Sequence, residues 1–307
     1  MNRVVITGPT GAIGIALIEK LIEKKIKVYA VCRPGSTRIG RIPQSHYVNV
    51  VECDISQLKK LPEKIKDKCD VFYHFAWSGT VGAARNDMYL QNQNIQYTLD
   101  AVEAANDIGC TTFIGAGSQA EYGRVEGILK PTTPVNPENG YGMAKLCAGL
   151  MSRAVCSRYE IRHIWTRILS VYGPYDGENT MIMSAIRGLV NGDRPAFTKG
   201  EQMWDYLFSK DAANIMYLLA EKGLNGKVYC LGSGTAKPLA EYIEILRKCV
   251  APDGKVELGK IPYSEKQVMY LCADTTDLES DLHYQCKYSF EEGINLTFEW
   301  WKREHGK

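Results

Sequence analysis

What this chain lacks narrows its class before any motif is read. Its 307 residues contain no apolar run long enough to form a membrane helix, which needs about 18–20 such residues. Net charge is nearly absent: 37 Lys plus Arg stand against 35 Asp plus Glu, a formal +2. No bulk field therefore points to nucleic acid or to an anionic membrane surface. The ten cysteines are scattered from Cys32 to Cys286 without a C-x-x-C pair, and the five histidines show no ligand spacing. Thiols spread in this way imply reduced, structural cysteines in a cytoplasmic protein with no metal site. The opening Met1-Asn2-Arg3-Val4-Val5-Ile6 carries no apolar h-region and no small-residue cleavage site, so no secretion signal is expected. Acidic residues are missing altogether between Glu23 and Glu52.

What is present is a globular composition, 45% apolar and 23% charged. A chain of this length buries about three quarters of its unfolded surface without a disulfide or metal staple. Short apolar runs alternate with helical patterns through the first half. Val4-Val5-Ile6, Val28 to Val31, Tyr47 to Val51, Val71 to Phe75, Thr111 to Ile114 and Ile164 to Ile168 are strand candidates. Between them, Ile13 to Lys24, Met88 to Ile108 and Tyr141 to Arg158 have helical periodicity. Strands that alternate with helices imply parallel βαβ units, and the right-handed crossover rule makes the result an open, doubly wound α/β sheet of Rossmann type. Past Gly173-Pro174 the alternation fades into the helices Met181 to Val190 and Lys210 to Lys222. The expected organisation is a dinucleotide-binding domain over residues 1–173, with 228–235 returning to its sheet, and a smaller C-terminal α/β substrate lobe over 174–307.

Thr7-Gly8-Pro9-Thr10-Gly11-Ala12-Ile13-Gly14 lies where the first strand turns into the first helix. Gly8 permits the tight turn, Gly11 lets a diphosphate approach the backbone, and Gly14 lets the helix pack close to the strand. The amides of the helix start, from Thr10 through Ala12 and Ile13, then face the phosphates, and the helix dipole adds to the attraction. At the end of the second strand, where an acid would meet a free ribose 2′-hydroxyl, the chain has Cys32-Arg33. A carboxylate repels a 2′-phosphate and an arginine binds it with a forked hydrogen bond. NADP(H) is therefore favoured over NAD(H); the other reading of Arg33 is a solvated residue in the turn Pro34-Gly35-Ser36.

Gly140-Tyr141-Gly142-Met143-Ala144-Lys145 puts Tyr141 and Lys145 one helical turn apart on one face. Ser118 follows the strand that ends near Ile114, in a loop at the carboxyl edge of the sheet, where ligands bind in such folds. A free tyrosine, with its pKa at about 10, is a poor base at neutral pH. A nearby ammonium and an oxidised nicotinamide both favour tyrosinate. Tyr141 could then take the proton of an alcohol as hydride leaves its carbon, and return it in the reducing direction. Ser118 would hydrogen-bond the same oxygen, and Lys145 would also hold the cofactor ribose.

Taken in order, these residues resemble the extended short-chain dehydrogenase/reductase family, most closely its nucleotide-sugar epimerase, dehydratase and 4-ketoreductase branch. The resemblance covers essentially the whole chain. It implies adenine contacts from Asp54-Ile55, a cofactor-side segment at His74-Phe75-Ala76, and catalytic roles for Ser118, Tyr141 and Lys145. Asn94 begins a stretch similar to the family's long helix, and Val171-Tyr172-Gly173-Pro174, Trp204-Asp205-Tyr206, Lys210-Asp211 and Gly232-Ser233-Gly234 resemble its later landmarks.

Three positions depart from the family. Its 4,6-dehydratases carry Asp-Glu after the catalytic Ser or Thr, whereas this chain has Gln119-Ala120, with Glu121 one place late. The usual Asn before V-Y-G-P is Ser170. The Arg that grips the nucleotide diphosphate is Trp204, so Arg187, Arg194 or Lys199 would have to replace it. Trp204 itself is either packing or a stacking surface for base or sugar. The resemblance thus implies an enzyme acting at C4 of a nucleotide-diphosphate sugar, a 4-epimerase or 4-ketoreductase, with Ser118, Gln119, Tyr141, Ser170 and Trp204 on the substrate side. A reductase of a small non-nucleotide carbonyl and a non-catalytic NAD(P)-sensing protein are the alternatives. It also implies a homodimer through the helices Met88 to Ile108 and Tyr141 to Arg158, whose apolar faces could equally be core.

Overall fold

The computed structural model describes residues 1–306. The first part of the chain runs β1 (Arg3–Thr7), α1 (Ala12–Glu23), β2 (Lys27–Cys32), β3 (Val48–Glu52), α2 (Leu61–Lys64), β4 (Val71–His74), α3 (Met88–Asp107), β5 (Thr112–Ser118), α4 (Gly140–Arg158), β6 (Arg162–Ile168) and β7 (Ser170–Tyr172). The second part runs α5 (Met181–Val190), β8 (Met203–Trp204), β9 (Tyr206–Phe208), α6 (Ser209–Lys222), β10 (Val228–Leu231), β11 (Lys237–Pro238), α7 (Leu239–Val250), α8 (Thr276–Leu282) and α9 (Phe290–His305).

Seven of these strands form one parallel sheet in the order β10-β6-β5-β4-β1-β2-β3. The order reverses between β1 and β4, and in open sheets of this kind the ligand crevice opens at such a reversal. Alternate residues of β1, β2 and β4 feed two separate cores. Val4 and Ile6 face α1 and α6, while Val5 joins Phe72 and Phe113 under α3. This is the period of two that a strand imposes on its side chains. Each fully buried Val or Ile of these rows contributes about 1.5–3 kcal/mol of transfer free energy.

β5 runs on to Ser118, past the apolar stretch Thr111 to Ile114. Its last turns lack side-chain bulk because neighbours fill that space. A Cβ on Gly115 would lie 2.2 Å from the Trp165 ring, and one on Gly117 would lie 2.3 Å from Glu121 Oε1. Apolar periodicity fades there while the ladder to β6 continues, with Ser118 opposite Ile168.

β10 pairs in parallel with β6, and α6 lies beside α1 on the sheet. A further core gathers Tyr172, Ile182, Ile186, Leu189, Ile243, Leu246, Ile294 and Trp301 from β7, α5, α7 and α9. No helix among the described residues is long and apolar enough to cross a membrane.

Candidate active site

The glycine loop leaves β1 through Gly8, whose φ of +67° is left-handed and whose missing Cβ would sit 2.7 Å from the Ala76 amide nitrogen. Only glycine meets both demands. A Cβ on Gly14 would press on the backbone of Pro9 at 2.6 Å, so that glycine serves the loop's own fold rather than an approach to β1. Around Gly11 a Cβ would meet open space. Gly11 is also the N-cap of α1, without a side-chain hydrogen bond, and the first turn holds no acid. The amides that begin α1 thus face a void with no counter-charge of their own, which fits a dinucleotide diphosphate.

Two cavities adjoin this loop and share Gly8, Gly11, Phe75, Trp77 and Thr80 as walls. The first, about 840 Å³, is lined by Thr10, Arg33, Ser36, Arg38, Asp54, Ile55 and Ala76 among others. Asp54 caps the 3-10 turn after β3, accepting from the Ser56 amide at 3.0 Å and its hydroxyl at 2.7 Å. These bonds, with the Arg33 charge, hold its carboxyl below the usual range. Arg33 and Arg38 are exposed at the rim. His74, wholly enclosed at the end of β4, joins Thr7 Oγ1 through Nδ1 at 2.9 Å. Burial and the Lys145 charge push its pKa down to about 3, so it is a neutral strut.

The second cavity, about 470 Å³, brings together Ala12, Ile13, Gly14, Ser118, Tyr141, Lys145, Ile168, Leu169, Val171 and Asp176. Asn139 caps α4 by accepting from the Gly142 amide at 2.8 Å. That cap starts the helix one residue before Tyr141 and so aims the Tyr141–Lys145 face at the cavity. Lys145 Nζ donates to Ala116 O at 2.7 Å and lies 3.6 Å from the centroid of the Trp77 ring. Burial pushes the Lys145 pKa down to about 7. The Tyr141 phenol stands above its ordinary value, because desolvation outweighs the opposing influences of the Ser118 hydroxyl and the Arg85 charge. Arg85 adds a cation beside the phenol that the sequence expectation did not include, and Lys145, whose ammonium also meets a carbonyl and an indole face, lies 5.7 Å from the same ring centroid.

Asp176 and Arg85, which bear on this cavity, escaped the sequence reading, and Glu121 was noted there only as one place late, without its structural part. Glu121 is fully buried and locks the end of β5: its Oε1 accepts from the Ser118 amide at 2.8 Å and from Trp165 Nε1 at 3.0 Å. The signal was there, since Ser118-Gln119-Ala120-Glu121 is a capping-box pattern, and both of its reciprocal bonds form. Asp176 lines the second cavity and accepts from the Gly177 amide at 2.7 Å and Thr180 Oγ1 at 2.9 Å. Burial lifts its carboxyl to about 6. Arg85 stacks its guanidinium 4.3 Å from the Tyr141 ring centroid. Nothing local marks Asp176 or Arg85 in the sequence.

Gln119, Ser170 and Trp204 are not among the residues lining either cavity. Trp204 Nε1 donates to Ser170 Oγ at 2.8 Å, and its ring packs against the cluster of Tyr122, Leu129, Leu169 and Leu271. Packing, one of its two expected roles, is thus the one described by its contacts. Arg187, with Arg41, lines a smaller cavity of about 290 Å³ that shares Asp176 with the second one. Arg194 and Lys199 are exposed elsewhere. No cluster of His, Cys, Asp and Glu among the described residues could hold a metal ion.

A parallel doubly wound sheet with an uncapped glycine loop at its first crossover defines a Rossmann-type dinucleotide-binding protein. More narrowly, the chain belongs to the NAD dependent epimerase/dehydratase family, whose pattern matches residues 4–232. Among its relatives is the dTDP-glucose 4,6-dehydratase of Haemophilus influenzae, 23% identical, with 98% of each chain covered. The solved UDP-glucose 4-epimerase of Thermotoga maritima with UDP-glucose superposes with a TM-score of 0.87 at 22% identity, covering 99% of each chain. DesIV, a dTDP-glucose 4,6-dehydratase of Streptomyces venezuelae with NAD bound, gives 0.87 at 21% identity, covering 99% of this chain and 98% of that one.

Proposed function

We propose that this protein oxidises or reduces C4 of a nucleotide-diphosphate sugar, as a 4-epimerase or a 4-ketoreductase, with Tyr141 as acid–base. The observation that carries the reading is the meeting of Ser118, Tyr141 and Lys145 in one cavity that adjoins the phosphate loop. A bound nicotinamide would supply the hydride acceptor or donor. Tyr141 moves the proton of the C4 oxygen, Ser118 fixes the direction of that oxygen, and the walls Ile168, Leu169 and Val171 exclude water.

Dehydration across C5–C6 needs an acid and a base next to Ser118. Here Gln119 and Ala120 follow it, and Glu121 is consumed by Arg167 and Trp165 inside the protein. This favours epimerase or ketoreductase chemistry although relatives include dehydratases.

Arg33 and Arg38 at the rim, with no acid at the end of β2, support NADP(H) over NAD(H). Ketoreduction and epimerisation are separated by assaying the purified protein with NADPH and 4-keto sugar nucleotides. Oxidation of NADPH supports the reductase. Interconversion of 4-epimers without added cofactor supports the epimerase. Neither activity, with any of the common nucleotide sugars, overturns the reading.

Trp204 at the diphosphate-gripping position favours a second reading, reduction of a small carbonyl without a nucleotide. Arg187 and Arg41 beside Asp176 offer the nucleotide reading a substitute pair of cations. Thermal protection by nucleoside diphosphates separates the two, since a ligand that binds only the folded state raises its melting temperature. Exposed Met88 and Tyr89 on α3, with Met143, Leu150 and Met151 on α4, support a homodimer through these helices, testable by light scattering.

A further inference from the structure

We propose that Arg85 is a positioning residue for the reaction: its guanidinium, held over the Tyr141 ring with the help of the contact between Asn86 and Gly140, favours the ionised form of that phenol against the burial that opposes it. The inference rests on the acid–base role of Tyr141 and adds the group that tunes it.

The geometry is built, not incidental. The Arg85 guanidinium lies 4.3 Å from the ring centroid, and its Nη1 donates to Thr80 O at 3.1 Å, which fixes the side chain against its own loop. The next residue, Asn86, accepts from the Gly140 amide at 3.2 Å, at the first residue of α4. Tyr141 follows Gly140 directly, so one hydrogen bond sets the loop and the helix in register. Gly140 makes the approach possible, since a Cβ there would sit 2.8 Å from Met88 Sδ and 3.1 Å from Arg85 O.

The chemistry follows from the nature of the two charges. A cation over an aromatic face is attracted by the ring, and more strongly once that ring carries negative charge. A guanidinium keeps its proton across the working range of pH. Lys145, the other cation on this face, is pushed by burial to about 7 and is committed to Ala116 O and Trp77. Its ammonium is 5.7 Å from the Tyr141 centroid, farther than Arg85. The remaining groups around the phenol are Ser118 from the end of β5, which favours ionisation, Glu121 from the turn after it, which opposes it, and Asp176, which lines the same cavity. Arg85 is thus the permanent positive charge on a ring whose ionisation burial resists.

The test compares the protein with Arg85→Met, Arg85→Lys and Gly140→Ala. The first readout is the pH profile of kcat. Arg85→Met is expected to move the limb that reports Tyr141 ionisation upward by about one pH unit, a tenfold rate loss at a pH below it, with KM for the cofactor unchanged. Arg85→Lys restores most of the shift, and Gly140→Ala moves the limb in the direction of Arg85→Met. A second readout needs no substrate: the pH titration of phenolate absorbance, taken as the difference between each protein and the same protein carrying Tyr141→Phe. An upward-shifted Tyr141 transition in Arg85→Met supports the proposal even if no substrate is turned over, in which case the proposed function fails and the tuning stands. An unshifted transition overturns the proposal, whatever the overall rate.

Discussion

Glu121 Oε2 accepts a hydrogen bond from Arg167 Nε over 2.8 Å, with the carboxylate entirely shielded from water and the guanidinium nearly so. The pair joins the turn after β5 to β6, and through the Ser118 amide it reaches the cavity that Tyr141 and Lys145 line.

Breaking one side of a buried pair leaves an uncompensated charge, at a cost of about 3–5 kcal/mol. Glu121→Ala is therefore expected to lower stability by that amount in chemical denaturation. Replacing both members, as Glu121→Leu with Arg167→Met, is expected to cost less than the single change. A single-variant loss of under about 1 kcal/mol would be the behaviour of a surface pair and would contradict the arrangement.

Tyr141→Phe removes the proposed proton carrier and keeps the ring. The expected loss in kcat is about 10²- to 10⁴-fold, the usual weight of acid–base catalysis. The melting temperature should stay close to that of the parent, because the phenol's role is chemical. Steady-state assay beside calorimetry checks both, and full turnover by the variant would remove Tyr141 from the mechanism.

Lys145 sets a pH dependence of stability. Its folded pKa is pushed down by burial to about 7 from the ordinary lysine value of 10.5. Between those limits the unfolded chain holds a proton that the folded chain has released. Stability therefore rises with pH across that window, since the slope follows protons bound in the unfolded minus the folded state. In Lys145→Met this rise should be missing. Melting temperatures of the two proteins from pH 6 to pH 10 test it, and parallel curves would refute it.

Arg33 is the proposed handle on cofactor choice. Arg33→Asp should weaken NADPH binding by about 10- to 100-fold, the range of a hydrogen bond between charged groups, and leave NADH binding equal or tighter. Fluorescence titration with both dinucleotides measures this. Equal losses for both would show that Arg33 does not meet the 2′-phosphate.

Local pattern made much of the fold legible. Val4-Val5-Ile6 alternates between two cores as a strand must, and the five expected helices begin and end within a residue or two of their periodic stretches, while α2, α7, α8 and α9 were not read from the sequence. Where pattern failed, packing explains it. Gly115-Ala116-Gly117 carries no apolar signal because the Trp165 ring and the Glu121 carboxylate occupy the space of the missing side chains. The candidate site was legible where it follows from backbone spacing, as in the glycine loop and the turn of helix from Tyr141 to Lys145. It was illegible where charge state matters. The sequence places an ammonium one turn from a phenol, but burial decides that Lys145 faces Ala116 O while Arg85, from a distant loop, covers the ring.

Spacing alone determined the alternation of strands and helices, the phosphate loop and the tyrosine–lysine face, because each depends on residues within a few positions of one another. Tertiary structure decided which charges meet and which are buried. Glu121 with Arg167, Arg85 with Tyr141, and Asp176 in the cavity wall arise from segments far apart in the chain. The Tyr141 and Asp176 pKa values are raised by the water these two groups lose on folding, a quantity that exists only once the chain has closed around them.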